Sequence, residues 1–199
     1  MEIERFLSNL ASGTPTPGGG SASALSGALS ASLIAMVAGL SYRKGQAESM
    51  EIRGIKRRAL MIQKKLHRAI EEDARSFDAV MAAFHLPRDE EKQRLCRSAV
   101  IQKAYQKATI APQKVCELSL QLLEFSKFLL QKGNQNAFSD TGVAAYLANA
   151  ALKGGMLNIR INLGSIRDNG FRSEKEGFIR RLVQERRRLM TEIQKEIKH

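Results

Sequence analysis

The chain has 199 residues, with 32 Lys and Arg against 20 Asp and Glu, and it has no Trp. This length fits one domain with a sizeable core, and a hydrophobic fraction of 43% argues against a disordered chain. Helix-forming residues dominate, and no alternating strand pattern of useful length appears. We therefore predict an all-α fold, a single-domain bundle of long helices over residues 1–199.

The net charge of +12 is compatible with nucleic acid, a membrane surface or an acidic small molecule as partner. Most basic clusters fall between the apolar positions of helical stripes, which favours solvated helix faces. The chain lacks zinc-finger spacing, an aromatic RNA-binding motif and a Gly-Lys-Ser phosphate loop. A basic helical nucleic-acid-binding protein is therefore the weaker alternative.

A short amphipathic helix is predicted over residues 1–10, followed by a loop and a helix of small residues over 21–41. Ser21 is a good N-cap for this second helix. Residues 21–40 carry no charge, so a membrane span must be considered. Their serines and glycines favour instead a buried helix in close contact with its neighbours, and no membrane partner is expected.

Four further helical stretches follow in chain order. Residues 47–85 carry apolar side chains at helical spacing, and Asp89 is predicted to cap the next helix, which Pro112 kinks or divides. Residues 133–136 form a turn. Ser139 is predicted to cap a helix that begins at Asp140 and ends near Arg167. Ser173 and Glu176 are expected to form a capping box at the start of the last helix.

The loop at residues 14–24 reads T-P-T-P-G-G-G-S-A-S-A. Its glycines allow backbone amides to approach a ligand closely, and a helix N-terminus beside them is suited to an anion. A flexible joint before a helix is an equally weighted interpretation of the glycines alone. Because Pro15 and Pro17 restrict the backbone, the segment is expected to hold a defined shape.

Asp140 is the candidate catalytic residue. It follows G-N-Q-N-A-F-S, which places amide donors and acceptors beside a carboxylate, although an acidic residue in the first turn also stabilises a helix. Asp73, with Glu71 and Glu72, is interpreted as solvated charge. Lys44 either meets an acidic ligand or complements the end of its helix.

The helix that begins at Asp140 has a stripe of small and polar residues suited to close packing. Its members are Asp140, Ala144, Ala148, Ala151, Gly155, Asn158 and Asn162. Asp140 and Asn162 lie about 33 Å apart along such a helix, so they cannot share one small pocket within the chain. Asn158 and Asn162 are interpreted as buried packing groups or as members of a different site, and not as catalytic residues.

Cys96 and Cys116 are far apart in the sequence, and no Cys/His cluster accompanies them. Two free thiols in a cytoplasmic protein are expected. No metal site is predicted.

Four segments together resemble the formiminotetrahydrofolate cyclodeaminase/methenyltetrahydrofolate cyclohydrolase family. They are P-T-P-G-G-G-S-A-S-A (15–24), A-V-M-A-A-F-H-L-P (79–87), G-N-Q-N-A-F-S-D-T-G-V-A-A (133–145) and L-N-I-R-I-N-L-G-S-I-R-D (157–168). They occur in the family's order. The resemblance is to the stand-alone bacterial form, although Gly45, Gln46 and Ala47 replace the family's usual residues after Lys44.

The resemblance implies an all-helical homodimer that binds a reduced folate, possibly polyglutamylated, in a cleft involving the glycine loop. The implied reaction is conversion of 5-formiminotetrahydrofolate to 5,10-methenyltetrahydrofolate and ammonia. The alternatives are the cyclohydrolase reaction, which gives 10-formyltetrahydrofolate, and a folate binder without catalysis. No cofactor beyond the folate substrate is expected. The expected substrate-binding residues are Pro17, Gly18, Gly19, Gly20, Ser21, Lys44, Asn134, Asn136 and Ser139, with Asp140 as the catalytic carboxylate.

Overall fold

The computed structural model describes residues 2–42 and 48–198, so Lys44 lies outside the described residues. The predicted all-α class is confirmed, and no strand occurs in the described ranges. The α-helices are α1 (Ile3–Ala11), α2 (Gly19–Ser41), α3 (Ser49–Phe84), α4 (Glu91–Ala108), α5 (Ile110–Lys132), α6 (Phe138–Leu163) and α7 (Asn169–Lys198), with a 3₁₀ turn at Gln135–Ala137.

Helix α2 is the centre of the bundle and packs against α3, α5 and α6. Its small residues allow this close approach. The hydroxyls of Ser26 and Ser30 donate to the carbonyl oxygens of Leu147 and Ala144 on α6, at 2.9 and 2.7 Å. Hydroxyl groups on the inner face of α2 thus find acceptors on the neighbouring backbone instead of remaining unpaired.

Helix α2 is also long and apolar enough to cross a membrane by length and composition, and half of its most apolar window is buried inside the bundle. The prediction of a buried small-residue helix is confirmed for its inner face, where Ala24, Ala31, Ile34 and Ala38 are fully buried.

Helices α2 and α6 run antiparallel, and so do α2 and α3. The start of α2 therefore lies beside the end of α6, where a Cβ placed on Gly19 would lie 3.9 Å from Nδ2 of Asn158. The end of α2 lies beside the start of α6, where the backbone N–H of Asn134 donates to Oγ of Ser41 at 2.8 Å. This antiparallel order fixes which residues can share a site.

Several predicted helix starts are wrong by a few residues. Helix α2 begins at Gly19, so Ser21 lies inside it and is buried. Glu90 and Gln93, and not Asp89, cap α4. Helix α6 begins at Phe138 without a side-chain cap from Ser139. Helix α7 begins four residues before Ser173, because Oδ1 of Asp168 accepts a hydrogen bond from the N–H of Phe171 and satisfies one of the free amides of the first turn.

The predicted division near Pro112 is confirmed. Helix α4 ends at Ala108 and α5 begins at Ile110, so Pro112 occupies the first turn of α5. Proline is tolerated there because its missing N–H has no partner within the helix.

Candidate functional site: a pocket at the start of helix α2

A pocket of about 320 Å³ lies where the glycine loop meets α3, α4 and α6. We call it the glycine pocket. Its polar lining includes Asp73, Ser76, Asn158, Asn162 and Ser165, together with the backbone of Gly18, Gly19 and Gly20. A mostly apolar concave site with a few convergent polar groups is the usual form of a small-molecule site.

Asp73 lies against the first turn of α2. Its Oδ2 accepts a hydrogen bond from the hydroxyl of Ser21 at 3.1 Å, and this hydroxyl also lies 3.0 Å from the carbonyl oxygen of Ile70. A Cβ on Gly20 would collide with the Asp73 carboxylate. A glycine is therefore required at position 20 for the carboxylate to reach the helix start.

Burial raises the pKa of the Asp73 carboxyl above its ordinary value. The hydrogen bonds from the side chain and backbone of Ser21 act in the opposite direction, because they stabilise the charged form, but they do not cancel the effect of burial. A carboxyl with a raised pKa that lines a pocket is a candidate for proton transfer to or from a ligand.

Two amide side chains from α6 complete the polar wall. Nδ2 of Asn158 donates to the carbonyl oxygen of Gly154 at 2.9 Å, and Nδ2 of Asn162 donates to that of Ala108 at 3.1 Å. Within the described residues neither amide oxygen accepts a hydrogen bond. Both oxygens therefore remain available to N–H donors of a ligand.

The remaining wall is apolar. It is formed by Phe77, Val80, Met81, Tyr105 and Ile161. Tyr105 packs edge-to-face on Phe84, with ring centroids 6.3 Å apart. Such a wall suits the face of a flat heterocycle.

The structure gathers some of the predicted substrate-binding residues and separates others. Gly18, Gly19 and Gly20 line the glycine pocket. Pro17, which follows a cis peptide bond from Thr16, faces a separate depression beside Phe6 and His67.

Asp140, Asn134, Asn136 and Ser139 do not meet the glycine loop within the chain. Asp140 precedes Asn158 by eighteen residues of the same helix, which is about 27 Å at 1.5 Å per residue. Asn134 is held at the far end of α2, where its Nδ2 donates to the carbonyl oxygen of Leu40 at 3.3 Å and its Oδ1 accepts from the N–H of Asn136 at 3.0 Å. Within one chain the glycine loop and Asp140 therefore do not line the same pocket, and the role of Asp140 stays a prediction.

The sequence interpretation missed Asp73, Asn158 and Asn162. The interpretation of Asp73 as a solvated charge is wrong, because its side chain lines the glycine pocket. Its neighbour Glu72 instead forms an ion pair with Lys114 at 3.1 Å. A signal was present, since Asp73 falls three residues after Ile70 and four before Phe77, a position of the buried stripe. A carboxylate at such a position costs free energy unless a hydrogen-bond donor or a cation lies beside it.

Within residues 2–42 and 48–198, no three His, Cys, Asp or Glu side chains gather closely enough to hold a metal ion.

Comparison with known proteins gives consistent matches over most of the chain. A methenyltetrahydrofolate cyclohydrolase of Methylorubrum extorquens is 36% identical over 175 residues, covering 87% of this chain and 84% of that protein. The formimidoyltransferase-cyclodeaminases of Gallus gallus and Rattus norvegicus are 32% and 29% identical, and the match covers 34% of each.

The fold also matches a solved structure. The crystal structure of formiminotetrahydrofolate cyclodeaminase from Thermotoga maritima superposes with a TM-score of 0.89 at 26% identity, covering 100% of this chain and 96% of that one. The model of the formiminotransferase-cyclodeaminase family matches residues 2–181. On these matches and on the shared helical fold, the chain belongs to the formiminotransferase-cyclodeaminase family.

Proposed function

We propose that the chain is a folate one-carbon enzyme and that the glycine pocket binds the reduced pteridine of its substrate. The observation that carries the proposal is the pocket itself. It combines an apolar wall for a flat ring, two amide oxygens for ring N–H groups, and a half-buried carboxyl with a raised pKa. The named relatives support the same chemistry.

The first candidate reaction is cyclodeamination of 5-formiminotetrahydrofolate. N10 attacks the formimino carbon, the carbon–nitrogen bond to the leaving group breaks, and ammonia departs from a cationic 5,10-methenyl bridge. Such a reaction needs proton transfer between two nitrogens and an anion near the developing cation. A site containing carboxyl groups can supply both.

The second candidate is the cyclohydrolase reaction, in which water adds to the methenyl carbon and the ring opens to 10-formyltetrahydrofolate. The observation that favours it is the 36% identity to the Methylorubrum extorquens cyclohydrolase, of which this chain covers most. Both reactions proceed by addition, elimination and proton transfer, so the proposal includes no redox or metal cofactor.

One assay tests the function and distinguishes the two reactions. The purified protein is offered 5-formiminotetrahydrofolate and 5,10-methenyltetrahydrofolate separately, and the absorbance of the methenyl group is followed. A rise with the first substrate identifies a cyclodeaminase, and a fall with the second, above the uncatalysed rate, identifies a cyclohydrolase. No change with either substrate would contradict an enzymatic function and leave only a folate binder.

We also propose a homodimer that forms through the exposed face of α2 and α6. Several large apolar residues are exposed there: Leu29, Met36, Leu40, Val143, Tyr146, Leu157 and Ile161. Single exposed apolar residues are ordinary, but a contiguous apolar patch of this kind marks an interaction site. Helix α2 contributes no charged side chain to it.

We propose a second copy as the partner because the exposed apolar residues are distributed along α2 and α6 from one end of α2 to the other. Ile161 borders the glycine pocket at one end, and the carbonyl oxygen of Leu40 accepts a hydrogen bond from Asn134, just before α6, at the other. Val143, Leu157 and Ile161 share one outward stripe of α6 by their spacing, and Asp140, three residues before Val143, lies at the border between this stripe and the inner one. A two-fold axis across the middle of the patch would place each glycine pocket opposite Asp140 of the second copy.

In this arrangement Asp140 supplies the second carboxylate of the site from the other subunit, as the anion near the methenyl cation. Its side chain is half-buried and makes no hydrogen bond within the described residues, so it is free to contact a ligand. Light scattering should give twice the mass of 22.1 kDa, and a monomer would contradict the proposal.

The basic surface of α3 supports binding of the acidic tail of a folate. Arg53, Lys56, Arg57 and Lys64 line a shallow depression of about 350 Å³ on this helix. We propose that glutamyl carboxylates bind there in preference to nucleic acid. The unpaired Cys96 and Cys116 support a cytoplasmic location, which stays a prediction.

A further inference from the structure

We propose that Gln102 is a positioning residue of the glycine pocket. It lies on α4, outside the pocket lining, and joins this helix to the turn between α6 and α7. In this way it sets the separation between two walls of the pocket. The inference rests on the proposed folate function and deepens it, because it names a residue that determines how tightly the pocket holds the ring of its substrate.

The side chain of Gln102 makes two hydrogen bonds to the turn at residues 164–168. Its Nε2 donates to the carbonyl oxygen of Ser165 at 3.0 Å, and its Oε1 accepts from the backbone N–H of Arg167 at 2.7 Å. Within the described residues neither of these two backbone groups has a backbone partner. One amide side chain thus satisfies a donor and an acceptor of the turn, and we call this pair of hydrogen bonds the Gln102 bridge.

Each end of the Gln102 bridge belongs to a wall of the pocket. Ser165 lines the pocket and lies two residues after the end of α6, the helix that carries Asn162. On α4, Tyr105 lies three residues after Gln102, hence on the same face of the helix, and its side chain is part of the apolar wall. The bridge therefore connects the polar wall to the wall against which a flat ring would lie.

Helix α4 depends on such polar attachments because it buries little apolar surface. Of its eighteen residues, all of them described, only Ile101 and Ala108 are buried, so apolar burial alone holds the helix weakly. Nδ2 of Asn162 donates to the carbonyl oxygen of Ala108 at its end. The guanidinium of Arg97 donates to the carbonyl oxygen of Phe84 at 3.0 and 3.2 Å. The Gln102 bridge lies between these two contacts.

Without the bridge, the middle of α4 would be attached to α3 more firmly than to α6. Tyr105 would keep its edge-to-face contact with Phe84 at the end of α3. The remaining side-chain contact to the turn is the longer one from Nε2 of Gln106 to Oδ2 of Asp168, at 3.4 Å. The two walls could then separate, and a ligand would have to bring them together at a cost in affinity.

The effect should fall on binding and not on chemistry. The glycine loop and Asp73 belong to α2, its preceding loop and α3, and they meet each other without any contribution from α4. A change at Gln102 therefore leaves these groups in place and alters only the walls around the ring.

The first test compares Gln102→Met with Gln121→Met. Methionine keeps the length of the side chain but lacks the amide, and Gln121 is exposed on α5, outside the pocket lining. In Gln102→Met the Kd of tetrahydrofolate and KM should rise about 10-fold, with kcat within about 2-fold of wild type. Gln121→Met should change none of these values. Wild-type binding in Gln102→Met, or a loss confined to kcat, would overturn the proposal.

Gln102→Asn is a second variant for the same measurement. It retains the amide but is one methylene shorter, so it cannot reach both partners in the turn. The rise in Kd should match that of Gln102→Met. Wild-type affinity in Gln102→Asn would show that the bridge does not position the walls.

The second test asks whether Gln102 acts through Tyr105. Tyr105→Ala removes the ring from the apolar wall, so its position no longer matters. Gln102→Met should then weaken tetrahydrofolate binding less than about 2-fold in the Tyr105→Ala background, against about 10-fold in the wild-type background. Equal losses in the two backgrounds would exclude an action through this wall.

Hydrogen–deuterium exchange follows the bridge itself. The peptide containing Arg167 should exchange faster in Gln102→Met than in the wild type, while peptides of α2 and α5 keep their protection. Faster exchange throughout the chain would show a general loss of stability and overturn the positioning role. If the wild type neither binds nor converts a reduced folate, the proposed function fails; if it does both and Gln102→Met equals it, the role of Gln102 alone fails.

Discussion

Asp73 shows how one residue can serve function at a cost to the fold. Burial disfavours its charged form, and the N–H and hydroxyl of Ser21 only partly offset this. A neutral amide of the same shape would occupy the position more easily. The carboxyl is thus explained by the chemistry of the pocket and not by packing.

This argument predicts the effect of Asp73→Asn on stability. The folded-state pKa is raised, so the folded chain binds more protons than the unfolded chain between the two pKa values. Wild-type stability from this group is therefore complete below the unfolded pKa and is lost as pH rises through the folded one. Asp73→Asn should melt at a higher temperature than wild type at neutral pH.

The difference in melting temperature should narrow toward pH of about 4, near the ordinary pKa of Asp. Thermal unfolding followed by circular dichroism at several pH values measures it, with Asp78→Asn, at an exposed position of the same helix, as the control that shows no such trend. A lower melting temperature for Asp73→Asn at neutral pH would contradict this explanation.

At the scale of elements, the small residues of α6 decide how closely the helices approach. The predicted inner stripe is confirmed for Ala144, Ala148, Ala151 and Gly155, which are buried. A Cβ on Gly155 would lie 2.6 Å from Sγ of Cys116 and 3.0 Å from the carbonyl oxygen of Pro112. The carbonyl oxygen of Pro112 is part of the backbone of α5, so it cannot move away from such a Cβ unless the helix moves.

Two glycine substitutions test this packing. Gly155→Ala should destabilise the fold by about 1–3 kcal/mol, as overpacking does. Gly54→Ala is the control, because nothing lies within 4 Å of a Cβ at this position in α3, and it should stabilise the helix by up to about 1 kcal/mol. Urea denaturation of both variants gives the two free energies, and equal values would show that α5 and α6 are not closely packed at Gly155.

At the scale of the whole molecule, the antiparallel order of α2 and α6 separates the two carboxylates of the proposed mechanism. Asp73 lies at one end of α2 and Asp140 near the other. If each site combines Asp73 of one copy with Asp140 of the other, both Asp73→Asn and Asp140→Asn should be nearly inactive. A mixed dimer of the two variants would still contain one intact site.

Mixing the two variants after subunit exchange should therefore restore about a quarter of wild-type turnover, since half of the dimers are mixed and each has one active site. A mixture of Asp73→Asn with Asp73→Ala is the control and should stay inactive. Full activity of Asp140→Asn alone, or no recovery on mixing, would remove Asp140 from the site.

The sequence by itself determined the all-α class, the glycine loop at residues 14–24 and the membership in the family. These follow from composition, periodicity and short motifs, which are local properties. It also contained the anomaly of Asp73 within a buried stripe. Only the tertiary structure decided that Asp73, Asn158 and Asn162 meet the glycine loop while Asp140 does not. The physical reason is that helices fix distances along their own axes, whereas the antiparallel packing of α2 against α3 and α6 determines which ends come together.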